Sequence, residues 1–495
     1  MNEIGKTESK HSIDKENTYR SILKGISIFG GVKIFEIFIN LIRGKFVALF
    51  LGPGGMGYSS IFSNVATTIS NLSSFGLNLA IVKEVAVANE TKEKLPEVIA
   101  VATKLFYATA LTGALICIFF SSFISELSFG SQESNWQFFL LGIAVFLLVV
   151  NAGKLSLLQG LHEVNRLSRA SLTGSVAGLV FGIPLYYFLG NQGIVPAIVM
   201  LALTLNIFYS INLKRATKEL PQKSFSWSAH RGIVKKLFSL GIILMASDMI
   251  GNVCNYVLLI IIRKIGDIDD VGFFQAANSI TNQMAGVVFT AMALDYFPRL
   301  SRSASDMDKM FGIINRQSEI IALIIFPVSL LIIIIAPLIT RILLTSKFEV
   351  IIPLLRWMAL GVALKAMAYP VSYITFAKDN KKLFFWLEGI IGNLLFVAVP
   401  LLFFYNFGLI GFGYGMVIEQ TLCLLIYWIV NRRIYGYLPT TRILTIFSLV
   451  LLLLSIVLAL SYSSGNLFIM VTMIVIAFIS TLFCALRLKK MIKTE

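Results

Sequence analysis

Charge is scarce in this chain. Only 14% of its 495 residues are Asp, Glu, Lys or Arg, and 57% are hydrophobic. A soluble domain carries about 25% charged residues, so a water-soluble fold is excluded and an integral membrane protein expected. Histidine is scarcer still: His11, His162 and His230 lie in the N-terminal tail or between apolar runs, without HExxH or any other metal-ligand spacing. Cys117, Cys254, Cys423 and Cys484 sit singly inside apolar runs and read as small core hydrophobes, not as a disulfide or metal framework. Gly52, Gly54, Gly55 and Gly57 imitate a phosphate loop, but no Gly-Lys-Ser/Thr follows them, which removes the Walker reading and leaves a tight connector. Strand-length alternation is missing, which argues against a barrel. No catalytic residues, no metal, no cofactor and no nucleic-acid partner are expected, and the chain is not expected to be an enzyme. A cleavable signal peptide is not expected either, because residues 1–20 are polar and charged and the first apolar run is too long for an h-region.

What is present is a series of long apolar runs, each near the roughly 20 residues a bilayer-crossing helix needs. Fourteen spans are expected, at about 22–42, 57–81, 100–124, 136–160, 170–190, 192–213, 236–262, 271–296, 313–340, 351–377, 383–404, 408–430, 442–462 and 466–486. The fold class is thus all-α and membrane-integral. With the N-terminus in the cytoplasm and the spans alternating, 33 of the 42 Lys and Arg residues fall on the cytoplasmic side. That bias predicts that both termini are cytoplasmic. Seven basic residues fall outside, at Arg43, Lys45, Arg263, Lys264, Arg341, Lys347 and Arg356, and two within the membrane, at Lys33 and Lys365.

A shift of 215 residues superposes the punctuation of two segments. Gly57-Tyr58 falls on Gly272-Phe273, Asn191-Gln192-Gly193 on Asn406-Phe407-Gly408, and Lys33 on Asp248. The expected organisation is a tail at 1–21, an N-lobe of six spans at 22–213, a cytoplasmic linker at 214–235, a C-lobe of six spans at 236–430, and a C-terminal helix pair with a basic tail at 431–495. Six spans per lobe make the repeat parallel, as in two-lobed transporters.

Five ionisable side chains fall near mid-span: Lys33, Glu36, Asp248, Lys365 and Glu419. A charge at the bilayer centre costs about 2.5–3.5 kcal/mol on insertion scales, so these residues are expected to line a hydrated cavity or to pair with one another. Lys33, Glu36, Asn40 and Arg43 share one helical stripe. Neutral polar stripes accompany them: Asn64, Thr67, Asn71, Ser74 and Asn78; Asn252 and Asn255 beside Asp248; and Gln275, Asn278, Asn282 and Gln283. A central cavity is expected from Lys33, Glu36, Asn40, Arg43, Asn64, Asn71, Asn252, Asn255, Gln275, Asn278 and Lys365. Glu36, Asp248 and Glu419 are candidates for ion coupling, with simple neutralisation of Lys33 or Lys365 as the alternative. Lys104, Lys154, Asp295, Glu319 and Glu388, near span ends, are expected to snorkel to the cytoplasmic face.

The stretch Lys45-Phe-Val-Ala-Leu-Phe-Leu-Gly52-Pro53-Gly-Gly-Met-Gly57 resembles the Lys-x-x-Ala-x-x-Leu-Gly-Pro-x-Gly-x-Gly segment of Wzx-type polysaccharide flippases, of the multidrug/oligosaccharidyl-lipid/polysaccharide exporter superfamily. Asn71–Ala80 and Val82-Lys83-Glu84-Val85-Ala86 are similar to that family's end of span 2. The resemblance implies fourteen helices in two pseudo-symmetric six-helix lobes plus a C-terminal pair. It also implies an inner-membrane flippase for undecaprenyl-pyrophosphate-linked oligosaccharide repeat units, with membrane lipid and other polysaccharide assembly proteins as partners. Spans 1, 2, 7 and 8 would line a cationic cavity; Lys33 and Arg43 fit that by position, and the acidic Asp248 departs from it. A drug or metabolite antiporter of the same superfamily and a membrane polysaccharide polymerase or ligase are the competing functions. The first is disfavoured by Lys33, Arg43 and Lys365, and the second by short outer loops.

Overall fold

A computed structural model describes residues 4–91, 94–221, 231–463 and 467–493; within these, the side chains of 4–30, Lys33, 242–248 and 293–295, among others, lie outside the described set. The side chains of Lys33, Asp248 and Asp295, and the linker residues 222–230, therefore lie outside the described residues.

The described residues are helical, and none forms a strand. In order the helices are α1 (Ile4–Ser73), α2 (Leu77–Thr91), α3 (Leu95–Phe119), α4 (Ser121–Phe129), α5 (Asn135–Gly160), α6 (Val164–Leu189), α7 (Ile194–Ala216), α8 (Arg231–Ile265), α9 (Ile268–Arg302) and α10 (Met307–Leu343). Then come α11 (Ile352–Ser372), the short turns α12 (Ile374–Ala377) and α13 (Lys381–Phe384), a π-helical segment at Phe385–Gly392, α14 (Asn393–Phe407), α15 (Gly411–Tyr435), α16 (Thr441–Ser461) and α17 (Leu467–Lys493). Among the described residues, eight helical stretches are long and apolar enough to cross a membrane. Two of these, 164–216 and 381–435, contain a hairpin each, broken at Gly190 and Gly408, both at positive φ.

The first hairpin shows how small residues set helix spacing. Gly174, Gly178 and Gly182 recur every fourth residue on α6 and meet Leu205, Leu201 and Ala197 of α7 in reverse order. A Cβ on Gly174 would lie 3.0 Å from the Leu205 backbone. Close approach of this kind is what drives helix association where lipid removes the hydrophobic incentive.

α1 is two helices. Gly52 (φ 69°) breaks it ahead of Pro53, and the chain reverses there. Before the break, Glu36 neighbours Ser171 and Phe50 neighbours Tyr187, so this arm runs alongside α6. After it, Phe62 packs on Phe129 and Ser73 meets Gly113, antiparallel to α3 and α4. The second span, expected at 57–81, instead ends at a break over 74–76, where Phe75 and Gly76 are both left-handed (φ 49° and 66°), and α2 continues to Thr91.

The two halves meet at both ends of the bundle. At the end holding Gly52 (the turn end), a Cβ on Gly57 would lie 2.2 Å from the Ile268 carbonyl oxygen, and one on Gly272 would lie 2.0 Å from that of Pro53. Gly57 and Gly272 are 215 residues apart in the chain, and so are Pro53 and Ile268. The contact is reciprocal, as across a two-fold axis. Gly54 faces Asp269, its own counterpart at the same offset, so this pair sits nearest the axis. The glycine motif thus lets two turns touch through their backbones.

A second reciprocal contact flanks the first. Lys45 donates to the carbonyls of Arg341 (3.1 Å) and Leu344 at the C-terminus of α10, and Arg263 donates to that of Phe129 (2.9 Å) at the C-terminus of α4. The acceptors Phe129 and Leu344 are again 215 residues apart. Each half caps a helix of the other, supplying protons and positive charge to carbonyls that a helix end leaves unbonded. Two basic residues that charge bias alone counts on the wrong side therefore have structural employment. Ser128 and Tyr256 add a 2.6 Å hydrogen bond at the same end.

At the opposite end, where α1 begins and α17 finishes (the terminal end), the backbone of Gly241 meets that of Phe75 and Gly76. Phe75 packs on Phe238, and Lys236 pairs with Glu84 at 2.7 Å. α16 and α17 lie against α10.

Candidate functional site

Each half contains a polar cavity lined by charged side chains. The first, of about 260 Å³, lies between the first arm of α1 and helices α6 and α7. Glu36, Asn40 and Arg43 line it, so three members of the sequence stripe do face one space. Ser171 donates to Glu36 Oε1, and Tyr186 and Tyr209 complete the wall near Arg43 and Glu36. Its polar face holds one carboxylate, one guanidinium and several hydroxyls, a donor and acceptor set suited to hydroxyl-rich or anionic groups.

The second, of about 200 Å³, lies between α11, the π-helical segment with α14, and α15. It gathers Lys365, Glu388 and Glu419 with Tyr369, Gln420 and Tyr427. Glu419 is buried and accepts from Gln420 Nε2 at 2.7 Å. Tyr427 and Ser372 are hydrogen-bonding neighbours of Glu388. Lys365 Nζ lies 5.9 Å from the centre of the Phe289 ring, within the range of a cation–π contact. Two carboxylates against one ammonium leave this cavity one negative charge in excess when all three are ionised.

The π-helical segment bears directly on this geometry. Asn393 Nδ2 donates to two carbonyls of this widened turn, those of Glu388 (3.1 Å) and Gly389 (3.0 Å). Single π turns are rare and concentrate at functional sites. Here the widened turn carries Glu388 itself.

The structure distributes some of the residues expected around a central chamber between the two halves. Glu36, Asn40 and Arg43 line a cavity within the first half, and Lys365 lines one within the second. The physical reason is that α6 with α7, and α14 with α15, form hairpins whose inner faces cover α1 and α11. The remaining predicted residues, Asn64 and Asn71 on α1, Asn252 and Asn255 on α8, and Gln275 and Asn278 on α9, are all half-buried on the helices that join the halves. Asn278 accepts from Asn282 at 2.5 Å. Gln283 Oε1 and Asn78 Oδ1, from the same stripes, are buried without a hydrogen-bond partner among the described residues.

Three side chains assigned to snorkelling do something else. Glu388 faces Lys365 and Glu419. Glu319 is buried and bonds both Arg442 (2.5 Å) and Arg487 (3.2 Å). Lys154 donates to Asn206 (3.1 Å) and Ser210 (2.6 Å) of α7. Their partners lie tens to over a hundred residues away, beyond the reach of local pattern.

A two-half helical bundle whose halves meet at both ends, with charged cavities among membrane-length helices, is an architecture found in membrane transporters. Solved structures of such proteins share this fold. The inward closed conformation of the lipid II flippase MurJ superposes with a TM-score of 0.68 at 14% identity, covering 95% of this chain and 99% of that one. An inward-facing multidrug resistance MATE family transporter of the MOP superfamily superposes with a TM-score of 0.65 at 18% identity, covering 82% and 94%. Residues 46–353 match the polysaccharide biosynthesis protein family, and the chain belongs to that family. By sequence it is also similar to the lipid III flippases of Escherichia coli (strain K12) and Shigella flexneri, each 21% identical over 364 residues, covering 72% of this chain and 85% of theirs. The resemblance read from Lys45–Gly57 is borne out.

Proposed function

We propose that the chain is a flippase that moves undecaprenyl-pyrophosphate-linked oligosaccharide repeat units from the cytoplasmic to the periplasmic leaflet of a bacterial inner membrane. Both termini are cytoplasmic in this reading, so the turn end is periplasmic. One observation carries it: the halves touch backbone to backbone at both ends, related by a repeat, with polar and charged faces enclosed between membrane-length helices. Such a body transports by rocking one half against the other, opening one seal at a time. The family membership and the similarity to lipid III flippases support a lipid-linked glycan as cargo. Arg43 and Lys33 supply positive charge for a pyrophosphate, and the half-buried Asn64, Asn71, Asn252, Asn255, Gln275 and Asn278 suit sugar hydroxyls. Glu419, with Glu388 and Lys365, forms the site for coupling to a proton or sodium ion, and Glu36 and Asp248 are the other candidates.

The experiment is deletion of the gene in its host, with lipid-linked oligosaccharide assayed by leaflet. The expected result is accumulation of cytoplasm-facing repeat units, restored to normal by the wild-type chain and not by Arg43→Ala at equal protein level. No accumulation in the deletion strain would sink the proposal.

A further inference from the structure

A further cavity lies outside the transport body. It is a groove of about 680 Å³ between α10, α16 and α17, walled by Leu323, Phe326, Leu449, Leu453, Ile479 and Phe483. Leu449, Ile479 and Phe483 are more than half exposed, so the groove opens towards the membrane. Its polar end is the Glu319–Arg442–Arg487 cluster. From Arg442 to Leu453 the groove follows α16 for about 16 Å at 1.5 Å per residue. That is close to half of a hydrocarbon core of about 30 Å, so the groove is one leaflet deep.

The charge at its mouth is unbalanced. Two guanidiniums share one carboxylate oxygen, Glu319 Oε1, leaving one positive charge over. Both arginines stay partly exposed, Arg442 more than Arg487, and a guanidinium has five N–H donors. Arg442 is also in the first turn of α16, whose N-terminus favours an anion. Arg316 ties α10 to the end of α17 through the Met491 carbonyl at 3.3 Å, which holds the mouth together.

We infer that this groove binds one anionic glycerophospholipid of the leaflet at the terminal end, its phosphate held by Arg442 and Arg487 and an acyl chain lying along α16. The lipid is a resident of the α16–α17 pair and not the transported substrate. The groove draws only on α10, α16 and α17, whereas the two charged cavities draw on α1, α6, α7, α11, α14 and α15. Basic pockets between membrane helices on the cytoplasmic side bind such headgroups, and a phosphodiester's single negative charge offsets the single unbalanced positive one.

The test is native mass spectrometry of the detergent-purified full chain, titrated with dioleoyl phosphatidylglycerol and with dioleoyl phosphatidylcholine. The wild type is expected to bind phosphatidylglycerol about fivefold more tightly, from roughly one basic residue's worth of surface attraction. Removing the cluster as a unit (Glu319→Gln with Arg442→Gln and Arg487→Gln) avoids stranding a buried carboxylate and is expected to bring the two lipids to parity. Ser480→Phe, which fills the groove without touching charge, is expected to weaken both lipids while circular dichroism shows an unchanged helical chain. Equal affinity of the wild type for the two lipids overturns the inference. So does a preference that survives in the triple variant, unchanged binding by folded Ser480→Phe, or displacement of phosphatidylglycerol by equimolar undecaprenyl phosphate, which would assign the groove to the cargo's tail.

Discussion

The two ends of the bundle are closed by different means. At the turn end, reciprocal glycines bring Pro53 and Ile268 backbones against Gly272 and Gly57, and two basic side chains cap helices of the opposite half. At the terminal end, the Gly241 contact rests on a three-residue break whose Phe75 is left-handed, a conformation that costs a non-glycine residue about 1–2 kcal/mol. An ion pair there across the halves joins Lys236, whose side chain is 65% exposed, to Glu84, which is 12% exposed; with one partner open to water such a pair contributes about 0.2–1 kcal/mol. Both seals have backbone packing; the turn end adds directed helix caps, and the terminal end adds a strained turn and a charge pair. The difference predicts an ordering: the terminal end is expected to open more readily than the turn end.

The sharpest way to break this comparison is to overfill the stronger seal. Gly57→Ala with Gly272→Ala places each Cβ at 2.2 and 2.0 Å from a backbone carbonyl oxygen, which has no rotamer to escape by. Overpacking of this sort costs about 1–3 kcal/mol per site. Nitroxide pairs at Glu133 and Glu349 for the turn end, and at Glu90 and Lys235 for the terminal end, are expected to show the first pair moving apart and the second unchanged. Unmoved distances at the turn end would show that the glycines do not form a seal.

A smaller change is expected from Lys45→Met with Arg263→Met. Each cap contributes about 0.3–1 kcal/mol, so the open population at the turn end should rise by roughly three- to thirtyfold. Reciprocity makes this test pointed: the two single variants should have similar effects, and a large disparity would mean that one cap is incidental. The smallest effect belongs to Lys236→Gln, at most a few-fold in the population open at the terminal end. It should weaken in high salt, where the exposed Lys236 is screened, more than the Lys45 and Arg263 effects, which are partly shielded by the opposite half. The readout is the same spin-label distances at low and high ionic strength.

Much of this was legible in the chain, and what was not has identifiable causes. Membrane class and helicity follow from scarce charge and long apolar runs, which tertiary structure does not alter. The stripe of Glu36, Asn40 and Arg43 could be read because helical spacing is local; the space it faces could not, because Ser171 lies 135 residues on. Glu319 and Glu388 looked like ordinary span-end carboxylates for the same reason, since Arg442 and Arg487 are 123 and 168 residues from Glu319. The π-helical turn over Phe385–Gly392 has no residue signature at all. Lys45 and Arg263 were countable as exceptions to the charge bias, but only geometry supplies the helix ends that use them.

Gly54 and Asp269 have a last consequence. A residue on a two-fold axis between identical chains must face a copy of itself, so in such a dimer this position would bring two aspartates together or leave two glycines facing an empty gap. A single chain carrying both halves escapes that constraint. A small residue on one side and a carboxylate on the other form an asymmetric fit that a pair of identical subunits has no means to write.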